Sequence, residues 1–116
     1  MSAVEAIEHV WEQGKFIEYR QVLVVDKAGT TAIYSGPNSL GIWTQAQGAD
    51  VASGGNMLAS DRVPQAMVDS FLASSGHLGD RLISAMRAGL AAGGEAGPLH
   101  SAGISVSYTH LTLPTK

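Results

Sequence analysis

Residues 17–36, which read IEYRQVLVVDKAGTTAIYSG, decide the fold of this chain. Asp26 and Gly29 take the first and fourth positions of a turn between two runs rich in β-forming residues, and this pattern predicts a β-hairpin. The first run is apolar on both faces, with Val22 on one and Leu23 on the other. A strand of this kind is covered on both faces. The hairpin is therefore predicted to lie in the middle of a layered structure.

Length and composition are those of a small globular domain. The chain has 116 residues, of which 45% are hydrophobic and 15% charged, and it contains no cysteine. A disulfide and a cysteine nucleophile are therefore excluded within this stretch. The net charge of −3 argues against nucleic acid as a partner, because nucleic acid favours a basic surface. No apolar run reaches the roughly 20 residues of a membrane-spanning helix, so no membrane partner is expected.

Helices are predicted on both sides of the hairpin in the sequence. The first helix begins with the capping box Ser2-Ala3-Val4-Glu5 and ends at Gly14, and its apolar stripe at helical spacing consists of Val4, Ile7, Val10 and Trp11. The second begins near Pro64, since proline is tolerated in the first turn of a helix. A third has apolar residues at helical spacing over 78–90. Further strands are predicted within residues 40–48, 51–58 and 101–104. This order of helices and strands predicts an α+β layered arrangement.

The last twelve residues, 105–116, do not continue this pattern. They read SVSYTHLTLPTK and resemble the conceptual translation of a transposase adapter used in sequencing libraries. Processing scars of this kind are left out of fold reasoning, so Tyr108 and His110 receive no role. Residues 1–104 are therefore expected to form a partial domain and 105–116 a non-native tail. A natural β-strand tail is the alternative.

Four stretches of residues 2–104 resemble the bacterial and archaeal family called domain of unknown function 1028. They are residues 17–29, Ala46-Gln47-Gly48, residues 55–59, and residues 91–95 followed by Ser101-Ala102. The resemblance implies a fold similar to the N-terminal-nucleophile hydrolases, in which two stacked sheets lie between two helical layers. The expected fold is therefore an α+β, partial four-layer αββα sandwich. Its terminal strands are expected to be missing, because the family's domain extends further at both ends.

The resemblance also implies a class of function. N-terminal-nucleophile enzymes hydrolyse an amide C–N bond with an initial Thr, Ser or Cys whose own α-amine is the base. The family's first strands precede the position of Ser2, so the nucleophile is expected to be absent and the chain to be an inactive fragment. Ser2 itself is better explained as a helix cap than as a nucleophile. The alternative is a non-catalytic binding or assembly module, related to the cell envelope, with the same fold.

Four polar residues are candidates for a site. Asn56 follows Gly54-Gly55, where either a bulge or the close approach of another backbone is predicted. Asn56 would donate to an oxyanion or, alternatively, satisfy backbone groups at a bulge. The candidates for substrate binding are Arg20, Gln21 and Glu95. Their structural alternatives are an ion pair for Arg20, hydrogen bonds to neighbouring backbone for Gln21, and a plain helix-ending loop for Glu95.

No cofactor and no metal ion are expected. His9, His77 and His100 show no ligand spacing, and the glycine-rich loop before Glu95 matches neither the phosphate-binding nor the dinucleotide-binding pattern. The expected partner is an unidentified small-molecule or peptide-like substrate, and a homo-oligomer stays open. The cytoplasm is the favoured location. A location in the cell envelope or outside the cell is the alternative, because the true N-terminus is expected to be missing.

Overall fold

The computed structural model describes residues 1–105, so all of the predicted tail except Ser105 lies outside the described residues. The helices are α1 (Ala3–Gln13), α2 (Val63–Ala73) and α3 (Leu78–Ala91), and the strands are β1 (Gln21–Val25), β2 (Thr31–Ser35), β3 (Thr44–Gly48) and β4 (Val51–Gly55). They form two antiparallel two-stranded sheets, β1–β2 and β3–β4. The structure confirms the α+β class.

The predicted hairpin is present, and Asp26 organises its turn. The Asp26 carboxylate accepts the backbone N–H groups of Ala28 and Thr30 at 2.9 and 3.0 Å. Gly29 has a φ of 83°, in the left-handed region that glycine adopts without strain. The turn therefore forms for the reasons that its sequence predicts.

The run that precedes the hairpin is not extended throughout. Phe16 has a φ of 58°, and Ile17–Tyr19 forms a short 3₁₀ turn in which the Arg20 N–H donates to the Ile17 carbonyl at 3.1 Å. β1 begins only at Gln21. The β-forming residues Ile17 and Tyr19 are thus placed in a turn by these local hydrogen bonds.

The elements pack in the order helix, sheet, sheet, helix. α1 contacts β1 and β2, these strands contact β3 and β4, α2 lies against β3 and β4, and α3 packs on α2. The hairpin therefore has a layer on each side, as its two apolar faces predict. Its coverage within the described residues is incomplete, because Leu23 and Val25 remain 38% and 47% exposed.

The first helix has the predicted cap. Ser2 Oγ accepts the Glu5 N–H at 3.1 Å, and Glu5 Oε1 accepts the Ser2 N–H at 2.9 Å. Only the small Ala3 is buried completely on this helix. Val4 and Trp11, which the pattern assigns to the apolar stripe, are each 54% exposed.

The second sheet is more regular than predicted. Gln45 pairs with Gly54 and Thr44 with Gly55 in an unbroken antiparallel register, so the predicted bulge at Gly54-Gly55 is wrong. A side chain is the close neighbour there: a Cβ at position 54 would lie 3.5 Å from both Cδ atoms of Leu23 in β1. This is an ordinary van der Waals distance, so the approach of the two sheets does not require glycine at position 54.

The densest packing lies between the second sheet and the helical pair. Val68 and Phe71 of α2 are 1% and 3% exposed. Gly89 brings α3 close to α2, since a Cβ there would lie 2.9 Å from Cγ and Sδ of Met67. Within residues 1–105, no helix has the length and apolar run needed to cross a bilayer.

The strand predicted at residues 101–104 is not observed, and these residues form no regular element. A strand satisfies its backbone groups by pairing with a neighbouring strand. Instead, Gly103 and Ile104 line a cavity of about 240 Å³ beside Val51 and Ser53 of β4. The local sequence of residues 101–104 does not reveal whether a pairing strand is present, and none is observed within the described residues.

Candidate functional site

Asn56, the catalytic candidate, lies at the end of β4 where the chain turns. Asn56 is half-buried, and the next residue, Met57, has a left-handed φ of 51°. The Met57 N–H donates to the Leu40 carbonyl at 2.9 Å, and the Leu58 N–H donates to the Ile42 carbonyl at 3.0 Å. The segment after Asn56 is therefore tied to the loop between β2 and β3.

Glu95, a binding candidate, reaches the other side of the same segment. The chain leaves α3 through Gly93 and Gly94, with φ values of 128° and 62°. The Ala59 N–H then donates to the Gly94 carbonyl at 2.9 Å, and Leu58 and Glu95 form an antiparallel bridge. The structure thus places Asn56 and Glu95 on hydrogen-bonded neighbouring segments, which sequence spacing did not predict.

Arg20 and Gln21, the remaining candidates, lie at the same end of the sheets. Gly36 donates its N–H to the Arg20 carbonyl at 2.7 Å, and Gln21 Nε2 donates to the carbonyl of Thr44, at the start of β3, at 3.3 Å. The backbone segments 18–20, 36–42, 57–59 and 94–96 are linked by such bonds, and we call this group the loop junction. All four candidate residues lie in the loop junction or next to it.

Gln21 bridges the two sheets. Its Nε2 donates to Ser35 Oγ at 3.0 Å as well as to the Thr44 carbonyl. Both amide hydrogens are therefore used within the protein. This geometry favours the structural interpretation of Gln21 over a role in donating to a substrate.

Two further glutamines join the sheets, a role that their local sequence does not predict. Gln47 Oε1 accepts from Thr31 Oγ1 at 2.9 Å, and Gln45 Oε1 accepts from the Ser35 hydroxyl. The available signal was the alternation of Gln45, Ala46 and Gln47, which places both amides on one face of β3. Both glutamines are exposed, so these bonds join the two sheets on a side that solvent reaches.

A cavity of about 160 Å³ lies beside the loop junction. Its apolar lining consists of Leu58, Val63, Met67, Met86, Leu90 and Leu99. Among the described residues that line it, Glu95 carries the one ionisable side chain. The cavity thus combines an apolar interior with a carboxylate, an arrangement suited to an amphiphilic ligand.

Asp26 is the second carboxylate of interest, and it lies at the opposite end of the hairpin. The Ala3 N–H donates to Asp26 Oδ2 at 3.1 Å. This hydrogen bond, followed by those from Thr30 and Ala28, holds the pKa of the Asp26 carboxyl below its ordinary value. The three bonds indicate a structural role, which joins α1 to the hairpin turn.

The site chemistry of the described residues is that of hydrogen bonding and apolar contact. Within residues 1–105, no group of three or more His, Asp or Glu side chains is placed to hold a metal ion. The Glu95 carboxylate can contact a polar group at the cavity, whereas Asn56 is not among the residues that line it. This arrangement fits a binding surface.

Comparisons with known proteins agree with the sequence resemblance. The model of the family of unknown function DUF1028 matches residues 1–114. The crystal structure of protein SPO2555 from Silicibacter pomeroyi, assigned to the same family model, is similar with a TM-score of 0.73 and 33% identity, and the match covers 80% of this chain and 41% of that one. This chain therefore spans less than half the length of the solved relative. Among curated proteins, none matches. Because the family model covers nearly the whole sequence, the chain belongs to the family of unknown function DUF1028.

Proposed function

We propose that this chain is one part of an amidohydrolase with a fold similar to the N-terminal-nucleophile hydrolases. The observation that carries the proposal is the packing order: α1, the β1–β2 sheet, the β3–β4 sheet, and the α2–α3 pair. Two stacked sheets between helical layers are the arrangement that the family resemblance implies. In this proposal the four layers are part of a larger αββα sandwich.

The proposed reaction is hydrolysis of an amide C–N bond by a nucleophile outside this chain. The match covers 41% of the solved relative, so most of that relative's chain lies outside the match, and the proposal assigns the nucleophile to such a part. Asn56 would donate to the developing oxyanion, and Arg20 and Glu95 would contact the substrate. Gln21 would hold the two sheets in register below them.

The test compares the full-length solved relative with this chain on a panel of N-acyl amides and dipeptides. Release of the free amine is followed by a fluorogenic amine reagent. We expect the longer protein to hydrolyse at least one substrate and this chain to match the buffer blank. The control is the longer protein with one residue added before its mature N-terminus, which should be inactive. A folded longer protein that releases no amine from any substrate would contradict the proposal.

The second candidate is a non-catalytic binding or assembly module, and a specific surface favours it. Ile83, Met86 and Leu90 on α3 are 43%, 43% and 59% exposed, and they line a shallow cavity of about 340 Å³. Apolar patches of this kind mark interaction surfaces. A cell-envelope role predicts co-sedimentation of the protein with insoluble peptidoglycan, and an Ile83→Lys variant should stay in the supernatant. Equal sedimentation of both proteins would argue against this module.

A further inference from the structure

The cavity beside Glu95 is formed by three elements that meet around one short segment. Gly89 lets α3 approach Met67 of α2, and the loop after α3 turns back to pair with Leu58. The Ala96 N–H donates to the Met57 carbonyl at 2.9 Å, which fixes the backbone on the far side of Glu95. The rim that carries the carboxylate is thus held by backbone hydrogen bonds.

The register of this pairing directs the Glu95 side chain. Partners in an antiparallel bridge lie opposite each other with their side chains on the same face. Leu58 is only 8% exposed and lines the cavity, so Glu95 starts from the cavity's side of the backbone. Glu95 itself is exposed, which keeps its carboxylate at the mouth.

We propose that this cavity, with Glu95 at its mouth, is a binding site for a small amphiphilic cation: an ammonium group on one aromatic ring or a short branched alkyl chain. Its volume of about 160 Å³ is close to the roughly 150 Å³ of an engineered apolar cavity that binds benzene. The carboxylate favours a positive group over a neutral or negative one. The proposal goes beyond hydrolysis, because it concerns binding by residues of this chain alone.

The test is a titration of the full chain with benzylammonium, followed by NMR of ¹³C-labelled methionine methyl groups. The chain has four methionines. Met67 and Met86 line this cavity and also the cavity of about 240 Å³ beside β4, whereas Met1 and Met57 are exposed and line neither. Leu99 lines the smaller of these two cavities and not the larger, so loss of the shifts in Leu99→Trp assigns them to the smaller one. We expect saturable shifts at Met67 and Met86 with a millimolar dissociation constant, and none at Met1 and Met57.

Two variants, one control variant and a neutral probe test the charge and the cavity separately. Glu95→Gln should weaken benzylammonium binding about two- to fivefold, as expected for a solvent-exposed ion pair, and leave benzyl alcohol binding unchanged. The matched control is Glu12→Gln, which removes an exposed carboxylate from α1 and should change neither. Leu99→Trp, at a position 55% exposed on the cavity lining, should weaken all probes by filling the space.

Three results would overturn the proposal. The first is the absence of shifts at Met67 and Met86 up to the solubility limit of benzylammonium. The second is benzoate binding as tightly as benzylammonium, which would show that Glu95 selects no charge. The third is an equal loss of binding in Glu95→Gln and Glu12→Gln. None of these results depends on amide hydrolysis, so failure here is distinguishable from failure of the proposed reaction.

Discussion

Asp26 joins three parts of the chain through one carboxylate. It accepts N–H groups from Ala3, Ala28 and Thr30, and the bond from Ala3 contributes most to the lowered pKa of this carboxyl. A group with a lowered folded-state pKa stabilises the fold above its unfolded pKa, which is near 3.8 here. This contribution is lost as the pH falls through the lower folded-state pKa.

Asp26→Asn should therefore lower the free energy of unfolding more at about pH 6 than at about pH 3. Asparagine removes the charge and one of the two acceptor oxygens. Urea unfolding at the two pH values measures the difference. Asp61→Asn, at an exposed turn position, is the control and should change the free energy of unfolding little at either pH. An equal loss for Asp26→Asn at both pH values would contradict the assignment.

Glycine is required at position 36 because the backbone of a neighbouring segment lies close to its Cα. Gly36 is buried, and a Cβ there would overlap the carbonyl group of Glu18 and lie 2.6 Å from the Ile17 carbonyl oxygen. Gly36→Ala should cost about 1–3 kcal/mol of unfolding free energy, because backbone must move. Gly97→Ala is the matched control, since no atom lies within 4 Å of a Cβ at position 97. If the thermal melts of Gly36→Ala and Gly97→Ala coincide, the requirement for glycine at position 36 is refuted.

The capping box determines where α1 starts. Ser2→Ala removes the acceptor of the Glu5 N–H and should cost about 1 kcal/mol of helix stability. The loss should appear as faster amide hydrogen exchange in the first two turns of α1. Ser84→Ala, an exposed substitution within α3, should leave exchange in α1 unchanged. Unchanged exchange in Ser2→Ala would show that packing, and not the cap, holds this helix.

Elements with local determinants were predictable from the sequence. The α1 cap, the Asp26 turn and the helix that starts near Pro64 each depend on residues a few positions apart, and all three are observed. The prediction of a strand at 101–104 was wrong. A strand needs a pairing partner, and local sequence does not reveal whether one is present. The apolar stripe of α1 lies on the predicted helix, but its burial depends on what covers Trp11, which local sequence does not reveal.

The candidate site was predictable only in part. Asn56 and Glu95 stood out because each lies beside glycines, but 38 intervening residues hide that their segments pair. The cavity depends on how α2 and α3 meet at Gly89, which is a property of packing. The link between Gln47 and Thr31 likewise requires knowing that β3 faces the hairpin.

At the scale of the whole molecule, an extended apolar surface runs along α3 within the described residues 1–105. Ile83 and Leu90 are 43% and 59% exposed, and cavities lie on both sides of Met86. We expect the folded chain to enhance the fluorescence of an anilinonaphthalene dye, and Ile83→Lys to reduce this enhancement severalfold. Val4→Lys, an exposed position on α1 in another layer, is the control. Equal reduction by the two variants would show that the dye does not report on α3.

The layer order and the family membership together lead to the central proposal, an amidohydrolase whose nucleophile lies outside the residues described here. The most direct measurement is N-terminal sequencing, with intact mass, of the mature solved relative, of which the match covers 41%. The proposal predicts Thr, Ser or Cys as the first residue, with a free α-amine at the start of the first strand. Any other first residue, or a blocked amine, would contradict it and leave the binding module as the better account.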